Sequence, residues 1–415
     1  MSTRLHLREY QPTPATATRL QDFRQGADQL NHQLLPTIRQ FQSDGRSASF
    51  GNVVGSFSLP SGDVVEVAPK VSSEGWTTGV IHLLSEETRL AVTGSQHSRP
   101  SDGKNDLTAA LALEYARRLE RALRKDGPMM VYERRHEAGR KWRGRLDVTT
   151  WARTSTLDPT RFPMGHDELS VLNDFTRAMS VVAGLLGRSA AGGEAASRLR
   201  RLQNAVIPGS PVPSFINPSV AHRRLPAQWA SYLPAWDIAA PIIRSQSVVG
   251  DPGRATGLEV AVEPWRLLET LLERSLAAVA AVDADLRVQP KSTFPLLADC
   301  VDTQMAGGGR FPRAVEPDGV LRHTDGRVLA TFEAKYSNRP KREHVFQALA
   351  TAAALTSPTA FLLYPWAESP RRFSVTGFHG HPLSLVTIGV DLFSYRRGES
   401  DQKVAAQVRS LMSTK

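Results

Sequence analysis

The chain has 415 residues, 41% of them hydrophobic and 22% charged, so two to three folded domains are expected and a mainly disordered protein is excluded. Lys and Arg outnumber Asp and Glu by 51 to 41, and the resulting +10 charge favours a polyanionic partner without saying which one. Cys300 is the single cysteine, which excludes an internal disulfide and a cysteine zinc cluster.

The chain opens on mixed polar residues with no signal-peptide pattern, and a cytoplasmic location is expected. Even its most apolar stretch, Leu267 to Val282, is interrupted by Glu269, Glu273 and Arg274, so no segment suits a bilayer.

In chain order, Arg4 to Phe41 reads as a short extended segment followed by a helix. From Asn52 to Lys70, two apolar runs flank Pro60-Ser61-Gly62-Asp63, the pattern of a hairpin of half-buried strands. Asp106 can cap a helix in which Leu107, Leu111, Tyr115, Leu119 and Leu123 recur every fourth residue, ended by Gly127-Pro128. The stretch from Arg134 to Arg145 carries Arg134, Arg135, Arg140, Lys141, Arg143 and Arg145 around Trp142. A solvated loop and a nucleic-acid contact both fit it.

Residues 167 to 207 read as helical with an Ala/Gly-rich break at Ser189 to Glu194. Pro208 to Pro241 reads as connecting structure with one helix near Trp236 to Ile243, and Gly250 to Gly257 as a flexible boundary. Pro264 to Val282 has the proline start and apolar periodicity of a helix, Arg342 to Leu355 reads as another, and Thr359 to Tyr364 as a buried strand. These breaks suggest three regions: 1–155, β/α; 156–250, helical and connecting; and 251–415, a mixed sheet flanked by helices. The expected class is a multidomain α+β or α/β protein.

The segment from Glu316 to Lys335 carries the most chemistry. Asp325-Gly326 favours a two-residue hairpin turn, because both residues tolerate positive φ. That turn would pair Thr324 with Arg327 and set Asp318 opposite Glu333, where cross-strand Cβ atoms lie roughly 4.5–5.5 Å apart. Alternation places Lys335 on the same face as Glu333 and turns Phe332 and Ala334 into packing. Two carboxylates beside an amine suit phosphodiester hydrolysis: Asp318 and Glu333 could ligate Mg2+, with Mn2+ as a substitute, and Lys335 could hold a water or stabilise charge at phosphorus. A surface hairpin with ordinary salt bridges has the same bare spacing. Glu269 and Glu273 stand one turn apart on the preceding helix, and the Leu-Glu-Arg setting favours Glu273 as the added acid.

Helix, strands, helix and strand around Pro317-Asp318 … Glu333-Ala334-Lys335 resemble the PD-(D/E)xK restriction-endonuclease core. The wider chain resembles the McrC family, the nuclease subunits of McrBC modification-dependent restriction systems. The similarity rests on Val65-Glu66-Val67-Ala68-Pro69-Lys70, Trp142-Arg143-Gly144-Arg145-Leu146-Asp147, the helix opened by Asn173, Leu271-Leu272-Glu273-Arg274, and Leu363-Tyr364-Pro365. Gln347 matches a core-helix glutamine common in related nucleases, and Thr351 stands where a tyrosine frequently follows.

The resemblance implies a Mg-dependent DNA endonuclease with Asp318, Glu333, Lys335, Glu273 and Gln347 as catalytic residues, acting in defence against phage. It also implies a hexameric AAA+ GTPase partner of the McrB type, stimulated by the N-terminal part of this chain, and a double-stranded, modified DNA substrate. Lys70, Arg140, Lys141, Arg143 and Arg145 become candidate contacts to the partner or to DNA; for Arg143 and Arg145 both stay open, with the GTPase ring slightly favoured. A chain serving chiefly as a non-cleaving activator of the motor is the other reading.

Overall fold

The computed structural model describes residues 3–35, 39–71, 75–84, 88–95, 106–189, 193–211, 213, 216–246, 257–296, 314–376 and 382–413. Two compact units emerge, and neither is one continuous stretch of chain. The first joins 1–91 and 102–110 to 260–415, and the second holds 92–101 and 111–259. The region 1–155 is thus shared between the units. Cys300 and nearly all of the Gly250 to Gly257 break lie outside the described residues.

In the first unit, the hairpin read from Asn52 to Lys70 forms as strands Val54–Ser58 and Val64–Ala68. Neither strand is half-buried: every residue from Val54 to Val67 within them is buried. Long-range partners account for this. Strand Arg4–Arg8 pairs in parallel with Val64–Ala68, and Ala261 and Val262 pair with Gly55 and Val54. Helix Ala17–Gln33 sets Phe23, Ala27 and Leu30 into one core with Phe57, Val65 and Val67. Burial of such side chains stabilises by about 1.5–3 kcal/mol each.

The larger sheet of this unit has six strands in the order Leu286–Pro290, Gly319–His323, Val328–Ala334, Thr359–Tyr364, Leu383–Gly389 and Arg371–Val375. The first three run antiparallel, the next two join in parallel, and the last is antiparallel. Thr359–Tyr364 lies among parallel neighbours and is buried throughout, which explains its unbroken apolar run. Helix Pro264–Val282, with proline in its first turn, packs on the antiparallel strands, and helix Arg342–Ala354 packs on Val328–Ala334 and Thr359–Tyr364. Arg274 of the Leu-Glu-Arg motif donates to the carbonyls of His82 (2.7 Å) and Leu84 (3.3 Å), so its role here is to pin that helix to the 76–84 segment.

The second unit has a helical core. Leu111, Tyr115 and Leu119 of helix Leu107–Asp126 are fully buried, and the Tyr115 hydroxyl donates to the Met179 carbonyl at 2.9 Å. Asn173 caps helix Asp174–Ser189: its Oδ1 accepts the Thr176 N–H, and its amide donates to the carbonyls of Met129 and Ser170.

The helical reading of 167–207 fails at its start. Phe162–Ser170 is a strand, held by nine antiparallel pairings with Val131–Gly139 that local propensity does not reveal. Helices Asp174–Ser189 and Glu194–Val206 follow, and Leu233–Gln246 supplies the helix expected around Trp236.

Candidate active site

The site forms where the hairpin Gly319–Ala334 meets two helices. Its turn differs from the two-residue form. The His323 carbonyl accepts the Gly326 N–H at 2.9 Å, the His323 N–H donates to Arg327 at 2.9 Å, and Gly326 has φ +94°. The loop therefore has three residues, Thr324 to Gly326, with glycine at the left-handed position. This shifts the register by one, and Arg322 faces Val328. Leu329 is then an extra residue, a bulge that restores the register the shorter turn would have set: Leu321 faces Ala330 and Gly319 faces Phe332. Two departures cancel, and Asp318 arrives beside the end of the Glu333 strand. Its N–H donates to the Phe332 carbonyl (3.0 Å), and its Oδ2 accepts the Ala334 N–H (2.8 Å).

Gly319 follows because the helix passes so close. A Cβ there would lie 2.5 Å from Leu276 Cδ1. Phe332, beside Glu333 in its strand, and Phe361 of strand Thr359–Tyr364 stack at 4.7 Å beneath the site, on the face opposite Glu333.

The Glu333 carboxylate is only 1% exposed and takes three side-chain donors. Lys335 Nζ (2.8 Å) and Gln347 Nε2 (2.9 Å) reach Oε2, and the Thr351 hydroxyl (3.1 Å) reaches Oε1. Gln347 and Thr351 lie four residues apart on helix Arg342–Ala354, so one helical face fixes the carboxylate in place. Burial raises the Glu333 pKa; Lys335 opposes the rise and the nearby Asp318 charge adds to it.

Asp318 is joined to the preceding helix through a residue the sequence reading missed. Lys291, just beyond strand Leu286–Pro290, donates to Asp318 Oδ1 (3.2 Å) and Glu269 Oε1 (3.1 Å). The helix acid that joins Asp318 is therefore Glu269. Its side chain is buried and also paired with Arg266, whereas Glu273 lies one turn further on and is partly exposed. The Leu-Glu-Arg setting pointed to Glu273 because Lys291 arrives from another strand and could not be placed. Burial raises the Glu269 pKa and the Asp318 charge raises it further, while burial opposes the charge on Lys291 but the two acids outweigh it and raise its pKa.

Two carboxylates at one end of a sheet, with a third behind them, form an oxygen-rich anionic focus. Among the described residues no group of three or more His, Cys, Asp or Glu is arranged as a complete metal cage. Magnesium asks for less: one or two carboxylates, with water and substrate phosphate completing its shell. Asp318 and Glu333 fit that donor set, and the Lys291 ammonium already marks Asp318 as a place where positive charge is held.

The remaining sequence candidates lie elsewhere. Lys70 belongs to the first unit, and its ammonium sits over the rings of Tyr10 (4.5 Å) and Tyr336 (4.3 Å). Arg140, Lys141, Arg143 and Arg145 are exposed in the second unit, in and around the turn that joins strands Val131–Gly139 and Arg145–Leu146. Gly144 there has φ +71°, and a Cβ would fall 2.5 Å from the Gly165 carbonyl oxygen, so glycine is required for the turn. Asp147 ends the motif as the N-cap of helix Val148–Thr154, accepting the Thr150 N–H at 3.0 Å. His323 is partly exposed and pairs with Asp325 at the turn.

Comparison with known proteins agrees along most of the sequence. The family described as "McrBC 5-methylcytosine restriction system component" matches residues 48–365, well over half of the chain. A chain of the tetradecameric Thermococcus gammatolerans assembly of McrB AAA+ hexamers with bound McrC has the same fold, with TM-score 0.61 and 12% identity over 99% of this chain and 100% of that one. A chain of the Thermococcus gammatolerans McrBC complex gives TM-score 0.44 and 13% identity, over 67% of this chain and 88% of that one. No curated protein matches the chain. No helix among the described residues is long and apolar enough to cross a membrane. With the family match spanning both units, the chain belongs to the McrBC restriction-system component family.

Proposed function

We propose that this chain is the Mg-dependent endonuclease subunit of a McrBC-type system and cuts double-stranded DNA through a PD-(D/E)xK site. The observation that carries the proposal is the placement of Asp318 beside Glu333 at the sheet end, with Lys335 2.8 Å from Glu333. Asp318 and Glu333 would hold the ion, which supplies positive charge at the scissile phosphate and helps ionise a water. Lys335 holds that water or stabilises charge on phosphorus. Gln347 and Thr351 keep the Glu333 carboxylate from rotating, and Lys291 bridges Glu269 and Asp318 at close range. Glu269 takes the helix-acid place in this site.

The same reading gives the chain a hexameric AAA+ GTPase partner of the McrB kind. Its support here is the second unit's three-stranded sheet, where Tyr132 is 71% exposed and Trp142 62% exposed beside Arg140, Lys141, Arg143 and Arg145. Exposed aromatic and arginine side chains together are characteristic of binding surfaces. We assign Arg143 and Arg145 to stimulation of the ring.

The test is cleavage of modified duplex DNA by the reconstituted complex with Mg2+ and GTP. Asp318→Asn and Lys335→Ala should each abolish cutting and leave GTP hydrolysis intact, and cutting at the normal rate by either variant rejects the site. Arg143→Ala with Arg145→Ala should lower stimulated GTP hydrolysis, and unchanged hydrolysis rejects the docking assignment.

A further inference from the structure

A second set of polar groups lies in the first unit just past Lys335. A cavity of about 680 Å³ is lined by Glu9, Tyr10, Lys70, Tyr336, Lys341 and His344, among others. Three features make it a receptor for an anion.

Lys70 is the first. Its ammonium is held between two tyrosine faces and, among the described residues, makes no hydrogen bond or ion pair. Cation–π contacts fix its position and leave its N–H donors unused.

Glu9 is the second. It is 3% exposed; its Oε2 accepts the Lys70 backbone N–H (3.1 Å) and the Tyr336 hydroxyl (2.5 Å), while its Oε1 is buried without a partner. Burial pushes its pKa up to about 7, against the pull of Tyr336 and Lys70. A carboxyl raised this far opposes an anion less than an ordinary carboxylate would.

The third is Lys341, the N-cap of helix Arg342–Ala354, which brings the positive dipole end of that helix to the cavity. Lys341 is exposed, and its side chain makes no ion pair among the described residues. His344 feels the charges of both Lys335 and Lys341, which ties the cavity electrostatically to the proposed cutting site.

We infer that this cavity binds a backbone phosphate of the DNA strand, next to the one that is cut, through Lys70, Lys341 and the positive end of helix Arg342–Ala354. The inference rests on the endonuclease reading and adds a strand-positioning site to it. Because Glu9, Tyr10 and Lys70 come from the first 70 residues, the N-terminal sheet becomes part of the DNA-holding surface.

The experiment uses the full chain and a labelled 20-base-pair duplex in Mg-free buffer, with affinity measured by anisotropy over a series of salt concentrations. Lys70→Met, which keeps the aliphatic stem, and Lys341→Met, at an exposed position, should each weaken binding roughly 5- to 10-fold and reduce the slope of log affinity against log salt by about one. Wild-type affinity and slope in both lysine variants would overturn this inference alone, provided Asp318→Asn still abolishes cutting in the complex. Loss of cutting by Lys70→Met with an intact slope would also overturn it. A nucleoside monophosphate that binds the wild type and not Lys70→Met, with duplex affinity unaffected, would show a free nucleotide site and reject the backbone assignment. If the wild-type chain binds no duplex, the inference fails together with the reading it rests on.

Discussion

The carboxylate site and the Arg140–Arg145 turn are both charged, yet they are built in opposite ways. At the first, Asp318, Glu333 and Glu269 are 7%, 1% and 7% exposed, and each carboxylate is matched by donors from other elements. At the second, four cations are exposed, and the turn beneath them is set by Gly144, the Asp147 cap and the Arg143 N–H on the Met164 sulfur. A buried charge must be compensated where it stands, because leaving it unpaired costs several kcal/mol, whereas exposed pairs contribute about 0–1 kcal/mol. Substitution should therefore be severe and specific at the sheet end, and mild in stability but sensitive to salt at the turn.

The largest effect is expected on chemistry. Asp318→Asn should reduce the single-turnover cleavage rate of the assembled complex by at least about 1000-fold, since electrostatic groups at a reacting centre are commonly worth 10²–10³ or more. A loss below tenfold would place the reacting phosphate elsewhere. Next comes Lys291→Ala, which leaves Glu269 and Asp318 facing each other without their shared cation. Breaking a buried pair costs about 3–5 kcal/mol, reduced here because the Lys291 side chain is 41% exposed. A lower melting temperature is expected, with larger recovery on adding Mg2+ than the wild type shows. Equal Mg2+ shifts in both proteins would separate Lys291 from the ion site.

Glu9 gives a pH signature. Burial pushes its carboxyl up to about 7, well above the ordinary glutamate range, so the folded chain holds this proton more tightly than the unfolded one. The stabilisation is complete below the unfolded value and is lost as pH rises through the folded one. Glu9→Gln keeps the shape and cannot ionise. In melts from pH 5 to pH 8 it should gain on the wild type by about 2–3 kcal/mol, and a difference that stays flat would show Glu9 to be unshifted.

Legibility in the sequence follows the same division between local and distant causes. Helix Pro264–Val282 and strand Thr359–Tyr364 were readable to the residue, because a proline start, helical periodicity and an unbroken apolar run are local signals. Asp318 opposite Glu333 was also readable, although the turn that delivers it has three residues and a compensating bulge at Leu329. A turn dipeptide specifies where a chain reverses better than how many residues the reversal uses. Lys291 and Glu269 were out of reach, since their meeting depends on the pairing of Leu286–Pro290 with Gly319–His323. The strand Phe162–Ser170 was hidden for the same reason, and Thr351 was visible only as a departure from the family pattern until the helix carried its hydroxyl to Glu333.

The smallest effect tests the exposed side of the comparison. Arg135 and Glu168 form a salt bridge at 2.8 Å on the second unit's small sheet, with side chains 49% and 47% exposed. Water screens both charges, and holding two long side chains in one geometry costs entropy, so Glu168→Gln should change stability by less than about 0.5 kcal/mol. Thr351→Val, which removes one hydroxyl from buried Glu333, should cost about 1–3 kcal/mol despite deleting a neutral group. Denaturant melts of the two variants side by side provide the check. If the surface pair proved the costlier of the two, burial would not be what governs charge in this protein, and the assignment of Glu333 as a tightly held ligand would lose its physical basis.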